Sequence, residues 1–422
     1  MNRIILIGNG FDLAHGMKTN YVDFLKNFWE NTIKLIHRSK GQEFFENEDI
    51  LVRNIPRELP SSYDYFEFKG ILKELNVELK FKNKFLHKIS ESALTLQNWV
   101  DIEYEYYEEL KKLFDIKNRS NYSIDQLNQD FVRIKNLLND YLSLVEKDFN
   151  RERIGLNPTT DKIAQHIFSN FKLRDFSERF ISQEIENYYN KYLSDVGLLE
   201  QQKITHSNLS KKSSKLIREL GFYATFSVFK NLVLSKEIYF FDLLPERTLF
   251  LNFNYTSTAL LYTEAYDMIL DGANISNKEF IHIHGTIGKE DNNPIIFGFG
   301  DELDEDYNKI ERLNNNKYLE NTKSVRYLDT ANYKRLLKFI NSGSYQILVM
   351  GHSCGISDRT LLNTLFENDS CASIKTYYYQ ESVNKDNFGD LIKNISRNFN
   401  DKSKMRDRVV NKMYCDPLVP KT

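Results

Sequence analysis

The sequence predicts an α/β fold in which a mainly parallel sheet begins at the N-terminus, is interrupted by a large helical insertion, and is completed in the second half of the chain. Short runs rich in Ile, Val, Leu and Phe, each closed by a Gly, Asn or His turn, occur at the very start and then again only after residue 245. Such runs, alternating with helical segments, suit strands buried on both faces of a parallel sheet. Between Ser61 and Leu220 there is one proline, Pro158, and three glycines, Gly70, Gly155 and Gly197, so few breakers that the stretch reads as mostly helix. At roughly 150 residues per domain, 422 residues leave room for both parts. We therefore divide the chain into an α/β domain of residues 1–55 and 245–422 and an insertion lobe of residues 56–244.

Taken in order, the candidate strands are Arg3–Ile7, Thr248–Leu251, Phe280–His284, Pro294–Phe297, Gln346–Met350 and Ile374–Tyr379. Within the insertion, Leu127, Phe131, Ile134, Leu138, Tyr141 and Val145 recur at spacings of three and four, the apolar face of one helix. Ser123, three residues before Gln126, is placed to cap its start. There is no internal repeat, and the acidic run Asp301 to Asp306 reads as a solvated loop.

Composition narrows the function classes. Lys and Arg number 57 against 59 Asp and Glu, so the molecule as a whole has no field that would draw it to nucleic acid or an anionic membrane. The three cysteines, Cys354, Cys371 and Cys415, make neither a CxxC pair nor an even set, which points away from a disulfide framework or a cysteine-built zinc site. The apolar run Ile4–Ile7 is too short for a signal-peptide core, and no run approaches a spanning helix, so the expectation is a cytoplasmic protein with no membrane partner.

In open α/β sheets ligands bind where strands end, which directs attention to polar residues after apolar runs. Gly8-Asn9-Gly10-Phe11-Asp12 follows the first strand; its glycines would let backbone N–H groups approach a phosphate, although Leu13 replaces the third glycine of GxGxxG, and a tight structural turn is the other reading. Asn252-Phe253-Asn254 ends another run, where an amide can hold a ribose hydroxyl or a water or can simply terminate the strand. His282 and His284 alternate onto one face, and His284, freed by Gly285, is placed to act as a base, while a structural histidine or a metal ligand are the competing readings. Gly351-His352-Ser353-Cys354-Gly355 fits the Gly-x-Ser-x-Gly string, but no histidine follows His352 to complete a hydrolase triad, and Asp358 reads as a helix cap. Asp101 and Glu103 are two apart and cannot share a helix face, so they read as solvated acids beside a core Trp99.

Together these strings resemble the bacterial AbiH family of phage abortive-infection proteins. The resemblance is carried by Ile5-Leu6-Ile7-Gly8-Asn9-Gly10-Phe11-Asp12-Leu13-Ala14-His15-Gly16, by Thr19-Asn20-Tyr21 and Asp23-Phe24, and by Trp99-x-Asp101-x-Glu103, Asn252-Phe253-Asn254-Tyr255, His284-Gly285 and Gly351-His352-Ser353. More distantly the order of blocks is similar to the Sir2-like fold, a Rossmann-type sheet that binds NAD. That resemblance implies that Gly8, Asn9, Gly10, Phe11, Asp12, Gly351 and Ser353 surround the nucleotide, with Gly8 and Gly10 at the diphosphate and Ser353 on the adenosine side, and that Asn254 and His284 flank the nicotinamide ribose. Asn252-Phe253-Asn254 departs from Thr-Gln-Asn and the four-cysteine zinc ribbon is absent, which argues against protein deacylation and for no metal.

The implied activity is hydrolysis of the nicotinamide–ribose bond of NAD by a phage-defence effector answering an unidentified phage-derived trigger. A non-catalytic sensor of NAD, ADP-ribose or a related nucleotide is the alternative. A nucleic-acid-directed effector, using Lys203, Lys211, Lys212, Lys215 and Arg218, is the third, and a homo-oligomer is compatible with each.

Overall fold

In a computed structural model, which describes residues 1–60, 64–95, 101–114, 122–149, 157–235, 244–264, 278–289 and 291–421, the opening run is the strand β1 (Asn2–Ile7), buried at every position. Alternation sends Ile4 and Leu6 to one face, against Leu336, Phe339, Leu361 and Ile395, and Ile5 and Ile7 to the other, against Phe11, Ile163, Ile167 and Tyr262. Apolar side chains are thus needed at consecutive positions, as the sequence supplies them.

Three short strands, β2 (Phe44–Glu46), β3 (Ile50–Arg53) and β4 (Glu78–Phe81), form a separate antiparallel sheet. β4 corrects the expectation of an almost wholly helical stretch from Ser61 to Leu220. A count of glycine and proline overlooked it because the turn before it is made by Asn76 at φ 52°, a conformation that Asn tolerates.

The main sheet resumes with β5 (Thr248–Asn252), β6 (Lys278–His282), β7 (Tyr345–Met350) and β8 (Cys371–Tyr377), all parallel, in the order β6-β5-β1-β7-β8. The register aligns His282, Asn252, Ile7, Met350 and Tyr377 in one row across the sheet. Every segment that follows a strand therefore leaves from the same edge, and the chain turns back across the sheet between β1 and β7.

Two strand expectations need correction. β6 ends at His282, so His284 lies beyond it, where Gly285 at φ 87° turns the chain. Residues 294–297 form no strand: Pro294 has no N–H to give, and the Ile296 N–H donates to the His284 carbonyl at 2.9 Å outside any ladder.

The helices divide by what they cover. α1 (Asn9–Ala14) follows β1 directly, whereas α2 (Tyr21–Arg38) packs with α3 (Tyr65–Glu74), α4 (Lys84–Thr95), α5 (Ile102–Phe114) and α6 (Ile124–Asp148) in the two apolar clusters beside the sheet's edge. In α6 the stripe Leu127, Phe131, Ile134, Leu138 and Tyr141 is buried, and the Ser123 side chain accepts from the Gln126 N–H at 3.2 Å. Helices Glu178–Glu200, Lys211–Leu220 and Phe226–Ser235 make a further cluster of their own. No helix among the described residues is long and apolar enough to cross a membrane.

Candidate functional site

Over the carboxyl edge of the sheet lies a cavity of about 410 Å³ whose walls come from both parts of the chain. The segments after β1, β5, β6 and β7 contribute Gly8, Asn9, Asp12, Asn254, His284, His352 and Ser353, while Asn20, Tyr21 and Lys26 of α2 and Asp101 and Glu103 at the start of α5 close it from above.

Asp358 is its electrostatic centre. Its Oδ1 accepts from Lys323 Nζ at 2.8 Å and faces His284 Nε2 at 3.2 Å, and its Oδ2 faces His352 Nε2 at 3.5 Å. The same lysine, 0% exposed, donates to Glu103 Oε2 at 2.7 Å, so one buried ammonium bridges the sheet's loops to α5. One cation between two buried carboxylates cannot stabilise both equally. Lys323 and the two imidazoles hold Asp358 well below the usual carboxylate range, while burial beside Asp101 and Asp358 pushes Glu103 up to about 8. Burial and the neighbouring ammonium lower His284 to about 4, so it is neutral at physiological pH.

Both imidazoles are oriented. The Cys354 N–H donates to His352 Nδ1 at 2.9 Å, which places the His352 proton on Nε2, toward Asp358. His284 Nε2 also lies 3.2 Å from the Tyr327 hydroxyl, and Phe253 packs edge-on against both rings, with centroids at 5.1 Å from His284 and 4.3 Å from His352. With Nε2–H given to Asp358, His284 keeps its lone pair on Nδ1.

Around the other wall, Asn254 donates from Nδ2 to the Gly8 carbonyl at 3.1 Å, and its own N–H is held by Asn252 Oδ1 at 3.0 Å. Asn252 ties the loop by donating to the Thr256 carbonyl at 2.9 Å and faces His282 Nδ1 at 3.2 Å, so of this pair Asn254 reaches the cavity and Asn252 shapes its rim. Asp12 accepts from Thr256 through Oδ2, and its buried Oδ1 has no hydrogen-bond partner; burial raises the group to about 6. Asn9 Oδ1 accepts from the Thr19 hydroxyl at 2.5 Å.

Of the residues singled out from sequence, Gly8, Asn9, Asp12, Asn254, His284 and Ser353 line this cavity; Gly10, Phe11 and Gly351 do not. Phe11 is a core residue against His15 and Tyr262. The N–H groups of Gly8, Gly10 and Phe11 donate to the Met350, Gly351 and Gly8 carbonyls at 3.2, 2.8 and 2.9 Å, and are thereby engaged within the protein. A Cβ on Gly8 would meet His352 Cα at 2.5 Å, and one on Gly351, at φ 73°, would meet the Phe11 nitrogen at 2.1 Å. These glycines let the turns after β1 and β7 pack against each other.

Sequence reasoning passed over Lys323, named His352 only within its strings, and read Asp101 and Glu103 as solvated acids and Asp358 as a cap. Asp358 does precede the helix Arg359–Glu367, but its carboxylate makes no cap bond because Lys323 and the histidines claim it. The i, i+2 objection to Asp101 and Glu103 fails because Asp101 stands before the helix: its Oδ1 accepts from the Glu103 and Tyr104 N–H groups at 3.0 and 3.2 Å. An Asp at the start of a helical run was the signal available. Trp99 lies outside the described residues. Lys323, between Thr322 and Ser324, carries no sequence signal at all.

Elsewhere, Lys211, Lys215 and Arg218 line a separate groove with His206 and Phe222. Among the described residues no group of His, Cys, Asp or Glu is arranged to hold a metal ion.

No curated protein and no solved structure matches the chain. The family model described as bacteriophage abortive infection AbiH matches residues 4–380, a span that contains every residue of the cavity just described. The chain belongs to the AbiH family of bacteriophage abortive-infection proteins.

Proposed function

We propose that this phage-defence effector binds NAD as substrate and hydrolyses its nicotinamide–ribose bond. A parallel sheet with its first strand central and the chain reversing between β1 and β7 supports a doubly wound, Rossmann-type reading, in which nucleotides bind at the reversal, where the cavity lies. This supports the Sir2-like reading of the fold, with the nucleotide over the segments that follow β1, β5, β6 and β7.

The observation that carries the chemistry is the Asp358–His284 pair beside Asn254 in a cavity walled by carboxyl groups. The pyridinium of NAD is cationic and the ribose becomes oxocarbenium-like as the bond breaks. Asp358, held ionised, favours positive charge at that end. Nicotinamide leaves with the bonding electron pair as a neutral molecule and needs no acid. Water then adds to the anomeric carbon, oriented by Asn254, and its proton passes to His284 Nδ1 and on to solvent, leaving ADP-ribose. A base lowered to about 4 is weak, which suffices against so electrophilic a carbon. Lys26, on the wall formed by α2, takes the phosphates, a role the engaged amides of Gly8 and Gly10 leave to a side chain.

The test is release of nicotinamide and ADP-ribose from NAD by the purified full chain, alone and with phage lysate. Binding of NAD without release under either condition would favour the sensor reading.

A further inference from the structure

The three members of the buried charge cluster each have a neighbour that faces the opposite way. Tyr104 follows Glu103, Arg359 follows Asp358, and the Phe299 carbonyl accepts the Lys323 N–H at 2.9 Å. These neighbours line a second cavity of about 390 Å³, back to back with the first, completed by Tyr107, Arg397 and Phe399.

Two features of this cavity point to one ligand chemistry. The first is an aromatic wall: Tyr107 lies parallel to Phe299 with centroids 3.9 Å apart at 5°, and Tyr104, 36% exposed, stands beside Phe299 at 6.3 Å. The second is an under-satisfied guanidinium. Arg359 meets Asp301 at 3.4 Å, and its buried Nε has no hydrogen-bond partner, although a guanidinium has five donors to place. It opens the helix Arg359–Glu367, where the helix dipole disfavours a cation and favours an anion. Arg397 and Lys402 stand at the exposed rim. The opposing acids are committed locally: Asp304 accepts from Tyr107 at 2.8 Å and caps the helix Glu305–Arg312, and Asp301 accepts from the Leu303 N–H at 3.1 Å.

We infer that this second cavity binds a planar aromatic monophosphate of the nucleoside-monophosphate class, its ring against Tyr104, which the buried Tyr107–Phe299 pair backs, and its phosphate on Arg359 and Arg397. The phosphate displaces Asp301 from Arg359, and because Arg359 is bonded through one peptide to Asp358, occupancy bears on the cluster that orients His284. Binding is independent of the function proposed above; its effect on turnover rests on that reading.

The probes are AMP, adenosine and inorganic phosphate, titrated into the full chain by calorimetry, with 2-azido-AMP photolabelling to locate the site. The expected result is saturable AMP binding, at least tenfold tighter than adenosine or phosphate alone, with label on the peptide containing Phe299 or mapped by residue to Tyr104 or Tyr107. Arg359→Gln and Arg397→Gln each weaken it at least tenfold, and Asn254→Ala, in the first cavity, leaves it unchanged. Arg397 is exposed, so that variant tests the idea without threatening the fold. Label confined to peptides of the first cavity, no saturable label, or wild-type affinity in Arg397→Gln would overturn the inference. Absence of NAD turnover in the wild type would instead count against the proposed function alone.

Discussion

His284 is tied through Nε2 to Asp358 and Tyr327, whereas His282 engages the rim residue Asn252 and the Asn254 backbone, and the two should answer differently to truncation. We expect His284→Ala to lower nicotinamide release by about 10²–10⁴-fold, the scale of a lost general base, while NAD affinity stays within a few-fold. His282→Ala should instead cost about 1–3 kcal/mol of stability, through an unsatisfied partner, with turnover per folded molecule near wild type. Equal turnover in His284→Ala and wild type would remove the histidine from the mechanism. The titrating carboxyls give a second expectation. Asp12 and Glu103 hold their protons more tightly folded than unfolded, so stability is whole below the ordinary carboxylate range. It falls as pH climbs to about 6 for Asp12 and about 8 for Glu103. Asp358 acts in the opposite sense and matters only in acid, as pH drops through its depressed value. Between about pH 4 and 6.5 the buried His284 and His166, both lowered to about 4, act against this by gaining stability as pH rises. The melting temperature should therefore decline above about pH 6.5, toward about pH 8.5, with a shallower slope in Glu103→Gln; superimposable profiles would show that Glu103 does not hold the proton.

At the level of elements, the floor of the site depends on how closely the turns after β1 and β7 approach. Gly351 adopts a positive φ and leaves no room for a Cβ against Phe11, while Gly389, at the start of the helix Phe388–Arg397, has nothing within 4 Å of where a Cβ would stand. Gly351→Ala should destabilise by more than ~1 kcal/mol and weaken nucleotide binding along with the fold, since Gly8 and Asn9 ride on the same turn. Gly389→Ala should be neutral or stabilising by up to ~1 kcal/mol. Chemical denaturation of both variants checks this, and a Gly351→Ala protein as stable as wild type would contradict the packing argument. The same scale shows why β4 escaped a reading based on breakers: the alternation Glu78-Leu79-Lys80-Phe81 is short, and an asparagine rather than a glycine turns the chain into it.

Across the whole molecule, Lys323 is the joint at which the helical part of the chain meets the sheet, with Glu103 on one side and Asp358 on the other. Removing the buried ammonium leaves the ionised Asp358 without its counterion beside the Glu103 acid, so Lys323→Met should cost about 3–5 kcal/mol. Adding Glu103→Gln and Asp358→Asn removes the stranded charges and should recover most of that stability without recovering turnover. Urea unfolding followed by fluorescence separates these outcomes; full stability in Lys323→Met would mean that the cluster is not buried as described. A second buried bridge, Lys375 to Asp175 at 3.0 Å, ties β8 to the segment that covers the opposite face.

Much of this architecture is legible locally. Uninterrupted apolar runs such as Ile4–Ile7 and Ile347–Met350 can be satisfied only with both faces covered, and the stripe from Leu127 to Tyr141 only as a helix. Polar residues placed directly after such runs, as Asn254 and Asp12 are, could be found from position alone, because parallel strands in register release their successors at one edge. The charge cluster could not be found that way. Glu103, Lys323 and Asp358 are separated by 220 and 35 residues, and each is unremarkable where it stands in the chain. Only burial against one another turns an acid, a lysine opening the short helix Lys323–Arg326 and the residue before another helix into one electrostatic cluster, since desolvation and charge act through distance in space and leave no periodicity in the sequence.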